Sequence, residues 1–385
     1  MLSDNSKGKR RSGSAELSFL YHNTQAEMLP TWGGPGFTFP EEKKIKKKTL
    51  IDANDIQFTT GVAFMPSKTQ VAYTLNNSTC LHIKSLNNLK HKPKKYKFPD
   101  VEHINSSINF FPDGNRAVIS FEDHITIDGK RDMYFVKGVV YDINERKVIQ
   151  QLNMYDFRTM AFSADGSRIA DVILNSPIII SETTDFSEYT RLDVEKWGSI
   201  GIPGIAFLSA DTKEVVFVGN FQDDQENRFS RVCIWDTTKE KNTVRLVYEI
   251  GMMVSSMAIS RNRDKLAVGF CDGSLYIFNV SNPPVNSPVW TVFKKKSKVH
   301  ANKEVTALCF SPDGNSIVSG GADSKIYFWD FNRDGDTSVG MVGSVNGSPV
   351  TLAISDDQTK ILSDDNYGSI YLWTIASDGS LSASR

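Results

Sequence analysis

No stretch of this chain approaches the ~20 consecutive apolar residues that a membrane-spanning helix requires. Its opening residues, MLSDNSKGKRRSG, turn basic with no apolar run behind them, so no secretory leader is expected. Four cysteines, Cys80, Cys233, Cys271 and Cys309, lie too far apart in sequence for a zinc spacing or a dithiol redox motif. There is no Gly-x-Ser-x-Gly elbow, no phosphate-binding glycine loop ending in Gly-Lys-Ser/Thr and no His-Glu-x-x-His pattern. The six histidines, His22, His82, His91, His103, His124 and His300, include no two at a short ligand spacing. From these absences no enzyme activity, no cofactor and no metal site is expected.

A dominant charge is missing too. The formal net charge is -1, which argues against global steering onto nucleic acid or an anionic surface. The charge is nevertheless uneven: residues 1–48 hold nine Lys/Arg against five Asp/Glu, so a mildly basic segment precedes a mildly acidic body. Residues 1–46 also contain helix-breaking Gly and Pro beyond residue 29 and little strand pattern, and are read as a flexible basic N-terminal tail.

What the chain has is a repeat. Small or apolar residues lead to an aromatic or β-branched residue, then a polar turn often written Pro-Asp-Gly, then alternating apolar residues. Copies begin at Gly61, Ile108, Met160, Ile205, Met257, Leu308 and Leu352. The equivalent positions Phe64, Phe110, Phe162, Phe207, Ile259, Phe310 and Ile354 are spaced by 46, 52, 45, 52, 51 and 44 residues. Each copy reads as two strands joined by a tight turn, because Asp-Gly tolerates positive φ and Pro fixes the residue before it. A third strand follows in most units, from Thr79, Gly138, Val232, Ser274, Lys325 and Ser369, and a weaker fourth from Lys95, Val148, Thr190, Val244, Val289 and Ser338.

Seven four-stranded units with no helical stripe predict an all-β, seven-bladed propeller over residues 47–376. The last unit stops after its third strand, leaving residues 377–385 as a flexible C-terminal tail. The unclaimed β-like stretch KKTLIDANDI, Lys47 to Ile56, is therefore expected to supply the missing outer strand and latch the ring.

The stretch VHANKEVTALCFSPDGNSIVSGGADSKIYFWDF, Val299 to Phe331, resembles a WD repeat, and Trp235-Asp236 and Trp329-Asp330 are intact Trp-Asp dipeptides. Trp373-Thr374 and Phe278-Asn279 are degenerate forms. The resemblance to the WD-repeat β-propeller family implies a hydrogen-bonded structural tetrad at His300, Ser319, Asp323 and Trp329; the other units lack most of it. Asp113, Asp165 and Asp313 fall in turns, where a carboxylate caps its own backbone.

Function in this fold family is broad, so sites must be argued locally. Two insertions, Phe121 to Phe135 with Asp123, His124, Lys130 and Arg131, and Asn220 to Phe229 with Asp223, Asp224 and Glu226, are read as enlarged loops between second and third strands and as candidate partner-binding surfaces. Lysine runs at His91 to Lys97 (Lys94, Lys95) and Phe293 to His300 (Lys294, Lys295) are read as loops of the same face, able to meet an acidic partner or to keep an edge soluble.

The favoured reading is a protein-interaction scaffold binding other proteins in a complex, monomeric on its own and cytoplasmic. A nuclear location stays open through the basic clusters Lys7 to Arg11 and Lys43 to Lys48. The rival reading is a subunit of an RNA- or chromatin-associated complex, with nucleic acid as a less favoured partner. A third, a propeller hydrolase, would demand convergent carboxylates and histidines in the channel.

Overall fold

The computed structural model describes residues 48–52, 59–65, 69–75, 80–98, 108–127, 130–152, 159–172, 177–209, 211–238, 243–280, 292–296, 299–330, 338–375 and 381–382. The N-terminal segment 1–46 lies outside them.

Seven antiparallel sheets follow one another along the chain, over residues 59–97, 108–152, 160–192, 199–250, 254–296, 305–344 and 349–375. We call them blades 1 to 7, each running from an innermost to an outermost strand. Blade 7 is completed from the other end of the described chain: Lys48–Asp52 pairs antiparallel with Ile370–Ile375, setting Lys48 opposite Trp373 and Leu50 opposite Tyr371. Of the stretch expected at residues 47–56, Lys48–Asp52 thus forms the outer edge of the last blade; the rest lies outside the described residues. Where a tail is expected at residues 377–385, the two-residue strand Leu381–Ser382 pairs with Thr374 and Ile375.

A blade is apolar on both faces, so its core lies between blades rather than within them. One cluster forms at every junction. Leu81 and Ala72 meet Ile119 and Tyr141 between blades 1 and 2. Val118 and Val140 meet Ile169 between 2 and 3, and Ile178 and Ile180 meet Phe217 and Trp235 between 3 and 4. Val216 and Ile234 meet Val268 and Phe278, Ile277 meets Ile317 and Trp329, and Val318 meets Ile361 and Trp373 at the next three junctions. Leu362 and Leu372 meet Val71 and Tyr73 between blades 7 and 1, which closes the ring around a central axis.

Polar side chains stitch the inner rim. Register shifts near the start of several innermost strands, between Val254 and Ser256 and between Val305 and Ala307, re-aim the intervening side chain out of the pleat. Ser255 Oγ then donates to the Val305 carbonyl at 2.8 Å, and Thr306 Oγ1 to the Pro349 carbonyl, each joining one blade to the next. Between blades 4 and 5 Asn220 does the same from the second strand, donating to the Val254 carbonyl at 2.8 Å and accepting from its amide at 2.9 Å.

Three sequence expectations are corrected. The third unit does have a third strand, Ile178–Glu182, whose unbroken Ile run lacks the alternation used to find the others. The segment Phe121 to Phe135 is no loop inserted in blade 2. It lengthens both strands, Arg116–Ile127 and Lys130–Asp142, with continuous pairing out to Ile127 opposite Lys130. In blade 4 Glu214–Gln222 and Arg228–Asp236 likewise run on until Gln222 faces Arg228, so only residues 223–227 are loop. Finally, the lysine runs are not loops of that face: the fourth-strand reading from Lys95 and Val289 holds, with Lys94–Lys97 and Val292–Lys296 as the outermost strands of blades 1 and 5.

Candidate partner-binding surfaces

Antiparallel order sends the turns between first and second strands to one face of the ring and the connections between second and third strands to the other.

On the second face, the four residues that the resemblance implies as a tetrad, His300, Ser319, Asp323 and Trp329, come together in blade 6. His300 is fully buried; its Nδ1 lies 2.8 Å from Asp323 Oδ1 and its Nε2 3.0 Å from Ser319 Oγ. Trp329 Nε1 donates to the same Ser319 oxygen at 2.9 Å. Indole N–H can only donate, so Ser319 accepts it and can donate its own proton to His300 Nε2; the neutral imidazole with its proton on Nδ1 completes the chain. Burial pushes Asp323 up, but the His300 contact and the Lys325 amide outweigh it and hold the carboxyl below its ordinary value. Gly321 is required beside this chain, because a Cβ there would collide with His300 Nδ1. The arrangement is structural, clamping the entry to blade 6 onto its second strand. A shorter version escaped the sequence reading: in blade 7 Trp373 Nε1 donates to Ser363 Oγ at 2.8 Å. Its signal, a Ser ten residues before the Trp as in blade 6, was legible.

The candidate binding residues fall in separate places. Asp123, His124, Lys130 and Arg131 share the long hairpin of blade 2, His124 opposite Tyr134 and Arg131 opposite Thr126; their side chains are outside the described set. Asp223, Asp224 and Glu226 share the exposed turn of blade 4. Asp223 is already engaged there: Oδ1 accepts from the amides of Gln225 and Asn227 at 2.9 and 2.8 Å, and the Asn227 side chain leads in holding its pKa below the ordinary value. Asp224 and Glu226 remain exposed on the same turn. Lys94 and Lys95 are exposed on blade 1, whereas the strand with Lys294 and Lys295 belongs to blade 5, so these two pairs do not converge.

The first face carries a feature that the sequence did not point to. Three of its turns, in blades 3, 6 and 7, are built around a Ser-x-Asp clasp: Ser163 donates to Asp165 at 2.6 Å, Ser311 to Asp313 at 2.5 Å and Ser355 to Asp357 at 2.6 Å. Each serine oxygen also accepts the backbone N–H five residues on, from Arg168, Ser316 and Lys360. The Ser163 and Ser355 hydroxyls are the leading causes that hold Asp165 and Asp357 below the usual carboxylate range. In blade 4 Lys213 leads in lowering Asp211 to about 2.

Inside this ring of turns the central channel opens as a cavity of about 1040 Å³. Its apolar wall includes Phe64, Phe110, Phe162, Ile259 and Ile354, all at the repeat's equivalent aromatic or β-branched position. At the rim stand Arg261, Arg263, Asp356, Asp357 and Lys360. Among the described residues no group of three or more His, Cys, Asp or Glu gathers to hold a metal. Burial pushes the Cys233 thiol up to about 12 and the Cys309 thiol up to about 11, leaving them protonated and poorly nucleophilic.

Comparison with known proteins adds a family and a set of distant relatives. The model of the WD domain, G-beta repeat, matches residues 292–330, the stretch that holds the blade 6 tetrad. WD repeat-containing protein 1 of Rattus norvegicus is 25% identical over 218 residues, 56% of this chain and 33% of the relative. WD repeat-containing protein 55 of Homo sapiens is 27% identical over 164 residues, 42% of this chain and 39% of the relative. Cilia- and flagella-associated protein 52 of Macaca fascicularis is 20% identical over 258 residues, 65% of this chain and 40% of the relative. The matched segments thus span well under half the length of these relatives.

Proposed function

Since this chain is a WD-repeat β-propeller, we propose that it works as a rigid scaffold for other proteins and that the channel mouth ringed by the first-to-second-strand turns is a docking face. The observation that carries this is the cavity of about 1040 Å³, with Phe64, Phe110, Phe162, Ile259 and Ile354 on its wall among polar side chains and charged groups at its rim. That combination suits protein recognition: apolar walls supply affinity through desolvation and rim charges supply orientation. A mouth of this size takes a side chain or a short extended segment, not a folded domain, so it anchors a partner whose remaining contacts lie on the turns around it. The hairpin of blade 2 and the exposed Asp224 and Glu226 of blade 4 offer a second surface on the opposite face, where projecting strands are stiffer than loops.

The RNA- or chromatin-associated reading draws on the lysine pairs and the basic N-terminal segment. It is weakened by the placing of Lys94–Lys97 and Val292–Lys296 on blades that do not adjoin. Affinity capture of the full chain from native extract, with and without nuclease, separates the two readings. Stoichiometric protein partners that survive nuclease are expected. Recovery of nucleic acid, or loss of the partners on nuclease treatment, would overturn the scaffold reading in favour of the nucleoprotein one.

A further inference from the structure

Blade 6 contributes nothing to the wall of the main mouth cavity among the described residues, although its innermost strand stands in the ring. Its Leu308, Cys309, Phe310 and Pro312 instead line a separate cavity of about 280 Å³ with Ala258 of blade 5. Three residues line both cavities, Ile259 and Arg261 of blade 5 and Asp356 of blade 7, and the latter two bear opposite charges. Arg261 Nη1 donates to Asp356 Oδ1 at 3.2 Å, an ion pair that reaches across blade 6 between turns 95 residues apart. Both side chains are largely exposed, 72% and 62%, so the strut is solvated and exchanges partners readily.

We propose that the Arg261–Asp356 pair covers an apolar annex of the channel mouth, and that a partner's extended segment carrying Asp or Glu beside an aromatic residue opens it. The inference rests on the docking-face reading above. The incoming carboxylate takes the place of Asp356 on Arg261, Asp356 swings into solvent, and the neighbouring ring enters against Phe310 and Leu308. The annex is an open cleft of about 280 Å³, wide enough for a phenyl ring to lie against its apolar side chains. Cys309 adds no charge there, because burial keeps its thiol protonated.

Charge selects an acidic partner over a basic one. Of the rim carboxylates, Asp357 is engaged by its own turn, accepting from Ser355 Oγ, Thr359 N and Thr359 Oγ1 and facing Lys360 at 3.6 Å. Arg263 is tied to the Ser209 carbonyl at 3.0 Å but still adds a positive charge to the rim. Displacing Asp356 therefore leaves Arg261, Arg263 and Lys360 at the rim against the single carboxylate of Asp357, a net positive charge toward the segment.

The test uses the full chain and fluorescein-labelled Gly/Ser dodecapeptides with a central Glu-Phe, Gln-Phe, Lys-Phe or Glu-Ala, read by fluorescence anisotropy. Glu-Phe is expected to bind about three- to fivefold more tightly than Gln-Phe or Glu-Ala. Asp356→Asn, which frees Arg261, raises Glu-Phe affinity, and Arg261→Glu shifts the preference to Lys-Phe. Both changes are on exposed side chains and leave the fold intact. Equal binding of Glu-Phe and Gln-Phe, insensitivity to Arg261→Glu, or no binding up to about 1 mM, the weak end of specific recognition, overturns the proposal. Protein partners that are captured from extract and retained by Arg261→Glu would reject the annex while leaving the scaffold reading in place.

Discussion

Phe217 of blade 4 occupies the position at which Ser319 of blade 6 accepts a hydrogen bond from tryptophan, and the buried Trp235 indole N–H has no acceptor among the described residues. The two tryptophans fill corresponding places, Trp235 opposite Val215 and Trp329 opposite Ile317, each two residues before the residue in question. An unsatisfied buried donor costs about 1–3 kcal/mol, whereas a made bond contributes about 1 kcal/mol. Replacement by Phe therefore has opposite consequences at the two sites. Trp235→Phe relieves an orphan donor and offsets the volume it loses, changing stability by under about 1 kcal/mol. Trp329→Phe removes a bond and strips Ser319 of its donor, costing about 2–3 kcal/mol. Urea unfolding of the two variants checks this; equal losses would mean that the tetrad carries no energy of its own.

Gly321 is the tightest test of the His300 arrangement. Gly321→Ala drives a methyl into the imidazole and should cost more than about 2 kcal/mol, because the ring cannot move without breaking its contacts to Asp323 and Ser319. Gly340→Ala, where a Cβ meets nothing within 4 Å, is the control and should stay within about 0.5 kcal/mol of the parent. The midpoint difference between the two variants in denaturant is the readout.

Ring closure predicts an asymmetry between truncations. Removing residues 47–57 takes Lys48–Asp52 from blade 7, strips the third strand of its outer partner and unlatches the ring; a loss of more than about 4 kcal/mol is expected. Removing residues 1–40 should leave the melting transition nearly unchanged. Differential scanning calorimetry of both truncations decides the matter, and comparable losses would contradict the latch.

Acid should loosen the turns of the docking face first. Asp165, Asp211 and Asp357 have folded pKa values below the unfolded aspartate value of about 3.9. The unfolded chain then binds more protons as pH falls, so the stability these groups contribute is complete above about pH 4 and is lost through the folded values, about 2 for Asp211. Asp211→Asn should flatten the fall of the urea midpoint between about pH 4 and 2, with the variant and parent converging at the acid end. A parallel offset at every pH would show that the charge is not involved.

Much of this architecture was legible in the residues. The spacing of Phe64, Phe110, Phe162 and their counterparts fixes the number of blades, and the want of a fourth strand after Ile375 points to Lys48–Asp52 as the latch. Blade 6 could be read because its polar residues are all present. Blade 4 could not be read in the same way, since Trp235-Asp236 looks intact in sequence while Phe217, eighteen positions earlier, removes the acceptor. Strand extension was mistaken for insertion because polar residues between Phe121 and Phe135 conceal continuous pairing, although Asp128-Gly129 is a hairpin signal in its own right. The mouth and its strut were invisible for a different reason: Arg261 and Asp356 are neighbours only because the ring folds two turns toward one axis, and no local pattern encodes a contact across 95 residues.

The most direct measurement of the central claim is hydrogen–deuterium exchange of the full chain, free and with a captured partner. The account predicts slower exchange on binding in the turns at residues 259–264 and 351–360, which face the mouth. Protection confined to the blade 2 hairpin or the 223–227 turn would contradict it and move the docking face to the opposite side of the ring.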